Sequence, residues 1–307
     1  MAASSSRVEP FPEVTAVTWR ELWHEAAAAI AEPNEARWLL EAATGRDAAV
    51  LLRELDTEAP AEAVTRVQAL VQRRKAGEPL QHVLGHWGFR TLEVAVDSRA
   101  LVPRPETEQV VAVALHELDR LRDLRSAANP TGSVPQLVAV DLGTGSGVIA
   151  LSLVAERSAL RVVATDRDPT ALELAAANLS VVAKDAAARV ELYVGDWYEA
   201  VPGDLKGRVD LVVANPPYVA EHEWAGLEEV VRDFDPYGAL VAGPTGLEAI
   251  AVIVAGAPDW LSEGGALVTE IAPDQATRAT ELARGAGFGT AFVEDDLARR
   301  ARVLVAR

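Results

Sequence analysis

Cysteine is absent from this 307-residue chain, which excludes disulfides, thiolate catalysis and sulfur-ligated zinc. No apolar run approaches the roughly 18–20 residues needed to span a bilayer. The opening MAASSSRVEPFPEV has neither the basic start nor the apolar core of a signal peptide. A cytoplasmic protein with no membrane association is expected. Positive charge is also scarce: 29 Lys and Arg stand against 46 Asp and Glu, a formal net charge of −17. Such a field repels a phosphate backbone, so direct nucleic-acid recognition is not expected. The 50% hydrophobic and 24% charged residues describe an ordinary globular chain. Its length allows two domains, at roughly 100–200 residues per domain.

Residues 15–76 read as helical, with Trp19, Leu22, Trp23, Ala26 and Ile30, then Trp38, Leu39 and Leu40, then Val64, Val67, Leu70 and Val71 at helical spacing. Trp19, Trp23 and Trp38 read as the core of a small bundle. Arg73, Arg74 and Lys75 precede Gly77 and read as the cationic end of a helix rather than a nucleic-acid patch. Between His82 and Val96 the runs HVLGHWGF and TLEVAV suggest a β-hairpin. A helix is expected from Glu106 to Arg122, then a surface loop over RSAANPTGSVPQ. From Leu137 on, the runs LVAVDL, RVVATD, RVELYVGD, VDLVVANP and GALVTEI alternate with helical stretches, which implies a doubly wound parallel sheet. Two final runs, around Ala291–Val293 and Val303–Val305, can pair antiparallel at one edge.

The chemistry lies at the strand ends. Asp141 opens DLGTGSG, where Gly143, Gly145 and Gly147 allow a sharp turn and close backbone approach to a nucleotide-like ligand. Val148 occupies the position where a dinucleotide fingerprint needs glycine or alanine. An acid at that strand end suits a cationic amino-acid moiety better than a pyrophosphate. Asp166 closes the next strand, where a carboxylate can accept both ribose hydroxyls. Asp196 and Trp197 close the third, with an acceptor and an aromatic face for a purine. Three strand ends in this order point to S-adenosylmethionine. The fourth carries Asn215-Pro216-Pro217-Tyr218. There the prolines hold the Asn215 amide and the Pro216 carbonyl rigidly, as acceptors for a planar NH2 group, and Tyr218 can stack on it. No general base is required, so the nearby His222 reads as a loop residue.

These motifs, with GEPLQHVLGHWGF at 77–89, LVPRPETE at 101–108 and VRDFDPYGALVAGPTGL at 231–247, resemble the release-factor glutamine methyltransferases, the HemK-type family, over nearly the whole chain. The resemblance implies an α/β fold: a seven-stranded class I S-adenosylmethionine-dependent, Rossmann-like methyltransferase domain with a small N-terminal helical domain and a linking β-hairpin. The corresponding boundaries are a disordered tail at 1–14, a helical substrate-recognition domain at 15–78, the hairpin at 79–100 and the methyltransferase domain at 101–307. Carried over, Gly143, Thr144, Gly145, Ser146 and Gly147 would line the methionine and ribose portion of S-adenosylmethionine. Asp166 would hold the ribose and Trp197 flank the adenine. Asn215 would touch cofactor and substrate, with Pro216, Pro217 and Tyr218 completing a glutamine pocket and no metal involved. The implied substrate is the glutamine of the Gly-Gly-Gln motif in class 1 peptide release factors, methylated at N5 by a monomeric enzyme acting on translation termination.

A sister group that methylates a ribosomal protein has PRSPI where this chain has PRPETE. The chain departs from the commoner pattern at Ala301, which replaces an acid, and in its first fourteen residues. Two readings compete. An adenine-N6 methyltransferase would use the same kind of tetrad but conflicts with the net charge of −17. A non-catalytic S-adenosylmethionine-binding adaptor would have no use for the amide acceptors.

Overall fold

The computed structural model describes residues 17–129 and 136–307. The tail expected at 1–14 and most of the NPTGSVP stretch lie outside the described residues. Two compact units divide between Leu84 and Gly85. No described helix is long and apolar enough to cross a membrane.

The first unit comprises α1 (Trp19–Ile30), α2 (Pro33–Thr44), α3 (Ala48–Arg53), α4 (Ala61–Lys75) and α5 (Leu80–Leu84). A capping box starts α1: the Thr18 hydroxyl accepts the Glu21 N–H, and the Glu21 carboxylate accepts the Thr18 N–H. Trp19, Leu22, Leu39, Leu40 and Val67 are buried at the helical spacing the sequence shows. Trp23 and Trp38 are only half-buried, so one tryptophan of the expected three is fully core. His82, Val83 and Leu84 form the end of α5 rather than a strand. Pro79 starts that turn, its carbonyl accepts the Val83 N–H, and Leu80 and Val83 bury one face.

The basic run ends α4 as expected. Gly77, at φ 91°, donates to Arg74, and Glu78 donates to Arg73, the paired bonds of a Schellman cap. Arg73 and Arg74 are engaged by Glu78 and Glu35. Gly77→Ala forces a Cβ into left-handed backbone and should cost roughly 1–2 kcal/mol, read as a lower urea midpoint with the far-UV spectrum unchanged.

The second unit begins with the hairpin β1 (His86–Phe89) and β2 (Leu92–Ala95), which buries Phe89 and Val94 in the same core as α6 (Pro105–Ala128). That helix outruns its expected end at Arg122, so Arg125 to Ala128 are helical rather than loop. Arg125 is held there by Asp210 and Ser262. Loop chemistry starts only at Asn129, which precedes a proline.

The remaining elements are β3 (Leu137–Leu142), α7 (Val148–Glu156), β4 (Leu160–Asp166), α8 (Pro169–Asn178), α9 (Lys184–Ala187), β5 (Val190–Val194), β6 (Val209–Ala214), β7 (Val219–Ala220), α10 (Glu229–Arg232), α11 (Tyr237–Leu240), β8 (Val241–Gly243), α12 (Glu248–Trp260), β9 (Leu261–Glu270), α13 (Ala276–Gly285), β10 (Ala291–Asp295) and β11 (Ala301–Ala306). Seven strands form one sheet in the order β10-β11-β9-β6-β3-β4-β5. Six run in one direction, and β11, between β10 and β9, runs antiparallel to both. The sheet is therefore mixed, a class I methyltransferase fold. Alternation places the side chains: Leu211 and Val213 of β6 join the core under α6 and α7, while Val212 and Ala214 join the one under α12. The order reverses between β3 and β6, and open α/β sheets bind ligands outside the carboxyl ends at such a point.

Candidate active site

The glycine turn after β3 is organised from beneath. Asp141 is fully buried, and its Oδ2 accepts the Thr144 hydroxyl at 2.6 Å and the Ala150 N–H at 3.1 Å. Burial pushes this carboxyl up to about 7. Oδ2 is spent on the turn, Oδ1 is buried without a hydrogen-bond partner, and Asp141 is not among the residues that line the cavity, where a cationic moiety was expected to meet it. Thr144 and Ser146 are buried with it. Gly143 and Gly145 have φ of +70° and +56°, and a Cβ on Gly143 would come within 3.3 Å of the Trp197 ring. Gly147 faces away, since its Cβ would meet Ala175 of α8 at 3.2 Å. Its freedom lets α7 pack against α8.

Gly143, Gly145, Asp166, Trp197, Asn215 and Pro217 line one cavity of about 850 Å3, counted to its open mouth. Thr144, Ser146, Gly147, Pro216 and Tyr218 do not line it. Arg99, Leu101 and Gly238, which the sequence reading passed over, do. The residues fit an S-adenosyl group. Bare glycine backbone leaves room for close approach, and Trp197 supplies an aromatic wall. The two Asp166 oxygens accept the Gly145 N–H at 2.8 Å and the Asp168 N–H at 2.9 Å, with lone pairs left for two hydroxyls. Burial raises the Asp166 carboxyl. Trp197 itself sits at φ 44°, a strained conformation for a bulky residue, and its carbonyl accepts the Thr165 hydroxyl.

Asn215 follows β6 directly. Its Nδ2 donates to the Thr107 hydroxyl at 2.9 Å. Thr107 Oγ1 donates to Glu270 Oε2 at 2.9 Å, and the Tyr218 hydroxyl to Glu270 Oε1 at 3.3 Å. Register explains the meeting. Ala214 pairs with Thr269, so Asn215 and Glu270 leave the sheet side by side. Below the tetrad, Gln275 donates to the carbonyls of Tyr218 and Gly246, and a Cβ on Gly246 would strike the Tyr218 carbonyl at 2.5 Å. The GPTGL segment thus braces the tetrad's backbone. His222 lies on an exposed turn.

Glu270 is 1% exposed, and burial pushes it up to about 7. Burial likewise raises Tyr218 well above its usual range, reinforced by the charge on Glu270. A raised carboxyl holds its proton in the folded state after the unfolded chain has lost it, so its contribution to stability is full in acid and lost as pH rises to about 7. Glu270→Gln removes that loss. The variant's melting temperature should therefore improve relative to wild type between pH 4.5 and 7.5, and a constant offset would show that Glu270 does not titrate there.

The PRPETE segment ties the site together. Arg104 pairs with buried Asp235 at 2.6 Å, Glu108 accepts the Arg90 N–H, Glu106 pairs with Arg300, and Thr107 supports Asn215. Asn178 of α8 joins the hairpin at Ala95 to the glycine turn at Ser146. Glu270 had a visible signal, as an acid closing a strand like Asp141 and Asp166. Thr107 had none, since a threonine in a first helical turn looks like any other.

Residues 21–85 match the family described as PrmC N-terminal domain, and 131–234 that described as Methyltransferase small domain. The release factor glutamine methyltransferase of Xylella fastidiosa is 40% identical over 276 residues, 90% of this chain and 93% of its own. That of Cereibacter sphaeroides is 39% identical over 283 residues, 92% of this chain and 94% of its own. That of Rhodopirellula baltica is 30% identical over 304 residues, 98% of each. Among solved structures, the catalytic domain of hMettl16 in complex with a MAT2A 3′UTR hairpin matches with a TM-score of 0.51 at 13% identity, over 80% of this chain and 81% of that one. This last likeness speaks to the fold alone.

Proposed function

This chain belongs to the release factor glutamine methyltransferase family, and on that basis we propose that it methylates N5 of the glutamine in the Gly-Gly-Gln motif of class 1 peptide release factors, with S-adenosylmethionine as donor. The observation that carries the reading is Asn215: it lines the cavity with Nδ2 committed to Thr107, while its Oδ1 has no hydrogen-bond partner among the described residues.

S-adenosylmethionine supplies, when bound, an electrophilic methyl on a sulfonium sulfur. The protein's task is to align a poor nucleophile, because the lone pair of an amide nitrogen is delocalised. Asn215 Oδ1 and the Pro216 carbonyl each accept one N–H of the glutamine side chain, which orients the nitrogen and favours the pyramidal geometry of transfer. Pro217 contributes to the wall, and Tyr218, anchored through its hydroxyl, offers its ring to the planar amide. Asp166 holds the ribose, Trp197 the adenine, and the bare backbone at Gly143 and Gly145 the methionine. Once methylated, the nitrogen loses its proton readily without a dedicated base. In this reading the enzyme is a cytoplasmic monomer.

The test is transfer of label from S-adenosylmethionine to an intact release factor, its Gly-Gly-Gln glutamine variant, and DNA or RNA, each alone. Label confined to the intact release factor is expected. Label on nucleic acid instead would assign the site to adenine.

A further inference from the structure

We propose that Glu270, acting through Thr107, fixes the Asn215 amide in the orientation that turns its carbonyl oxygen toward the substrate. The inference rests on the amide-pocket reading above and adds what decides which end of Asn215 the substrate meets.

An asparagine amide has nearly the same shape at both ends, so packing hardly chooses between its two faces. Proton supply does. The Thr107 hydroxyl carries one proton and stands between Asn215 and Glu270, 2.9 Å from each. An ionised carboxylate only accepts, so Thr107 gives its proton to Glu270 and has only lone pairs for Asn215. Asn215 must then present its NH2 to Thr107. The flipped amide would oppose two oxygens with no proton between them. Thr107 and Glu270 are 3% and 1% exposed, so water cannot readily relieve such a mismatch. Tyr218 donates to the other oxygen of Glu270, so both carboxylate oxygens accept, as the relay requires.

The relay has a pH limit. The groups acting on Glu270 are Arg302 of β11, which favours its charge, Glu106 of α6, which opposes it, and the Tyr218 hydroxyl. Glu106 is itself paired with Arg300, and Arg302 lies 3.9 Å from Asp296. Once protonated, Glu270 can donate to Thr107. The threonine proton is then free to turn to Asn215, and the amide is no longer held to one face.

The experiment is single-turnover and steady-state methylation of an intact release factor by the full-length enzyme and its Thr107→Val, Thr107→Ser and Glu270→Gln variants, with S-adenosylmethionine affinity measured alongside. Thr107→Val keeps the shape and removes the relay. It should lower kcat tenfold or more, with the release-factor KM and cofactor affinity within about threefold of wild type, and Thr107→Ser should recover kcat to within about threefold. The wild-type rate should rise from pH 5.5 to 8.5 as Glu270 ionises, and Glu270→Gln should abolish that rise. If Thr107→Val does not fold, the pH profiles decide alone. The relay is overturned by a Thr107→Val rate within threefold of wild type, by an equal loss in Thr107→Ser, or by an unchanged pH rise in Glu270→Gln. Wild type that fails to label a release factor sinks the functional reading and the relay with it. Wild-type activity that survives Thr107→Val sinks the relay alone.

Discussion

Asn215→Ala should slow single-turnover methylation of a release factor roughly 100-fold or more under saturating cofactor and substrate, the scale expected when a positioning contact is lost. The substitution removes the acceptor and adds no charge. It also leaves Thr107 hydrogen-bonded to Glu270, so the buried relay keeps its last bond. Cofactor affinity should fall much less, because Asn215 is one wall residue among many. Asn215→Asp restores an acceptor but removes the NH2 donor to Thr107 and places a negative charge within reach of Glu270, so its activity should be partial at best. The Ala variant decides. A rate within about threefold of wild type, a difference of only about 0.65 kcal/mol, would leave no place for the amide-pocket mechanism.

Asp166→Ala should weaken S-adenosylmethionine binding by about 1.5–3 kcal/mol, the range for hydrogen bonds to a charged group, or on the order of 10- to 150-fold in Kd. Two effects share that loss. The ribose hydroxyls lose their acceptor, and the Gly145 N–H loses the carboxylate that holds the glycine turn. Asp166→Asn divides them in part: its side-chain oxygen can still accept from Gly145 and from one ribose hydroxyl, while its NH2 faces the Asp168 N–H, which loses its acceptor. Its Kd should therefore lie between those of wild type and Ala. Calorimetry on folded variants reads both, and unchanged affinity in the Ala variant would remove Asp166 from the site.

Much of the fold was legible because its signals are local. The runs LVAVDL and VDLVVA are strands because apolar side chains on both faces are buried between helix layers, and both form where the pattern puts them. The misses were also local conflicts. His82 to Leu84 read as strand in a stretch too short for periodicity to discriminate, and burial of Leu80 and Val83 on one helical face won. Arg125 to Ala128 read as loop beside a proline-glycine stretch, yet bonds from Arg125 to β6 and β9 carried the helix on.

For the site, sequence by itself determined the residues whose roles come from backbone: glycines at positive φ, prolines that stiffen the tetrad, and acids that close strands. Such features lie within a few positions of one another and leave a readable spacing. Tertiary structure alone decided the direction of each side chain. It turned Asp141 into its own turn and away from the cavity, set Gln275 under the Tyr218 carbonyl, and put Thr107 against a glutamate 163 residues further on. Hydrogen-bond polarity between such partners depends on which strands are neighbours and in what register. Only the assembled sheet, with β9 beside β6, establishes both.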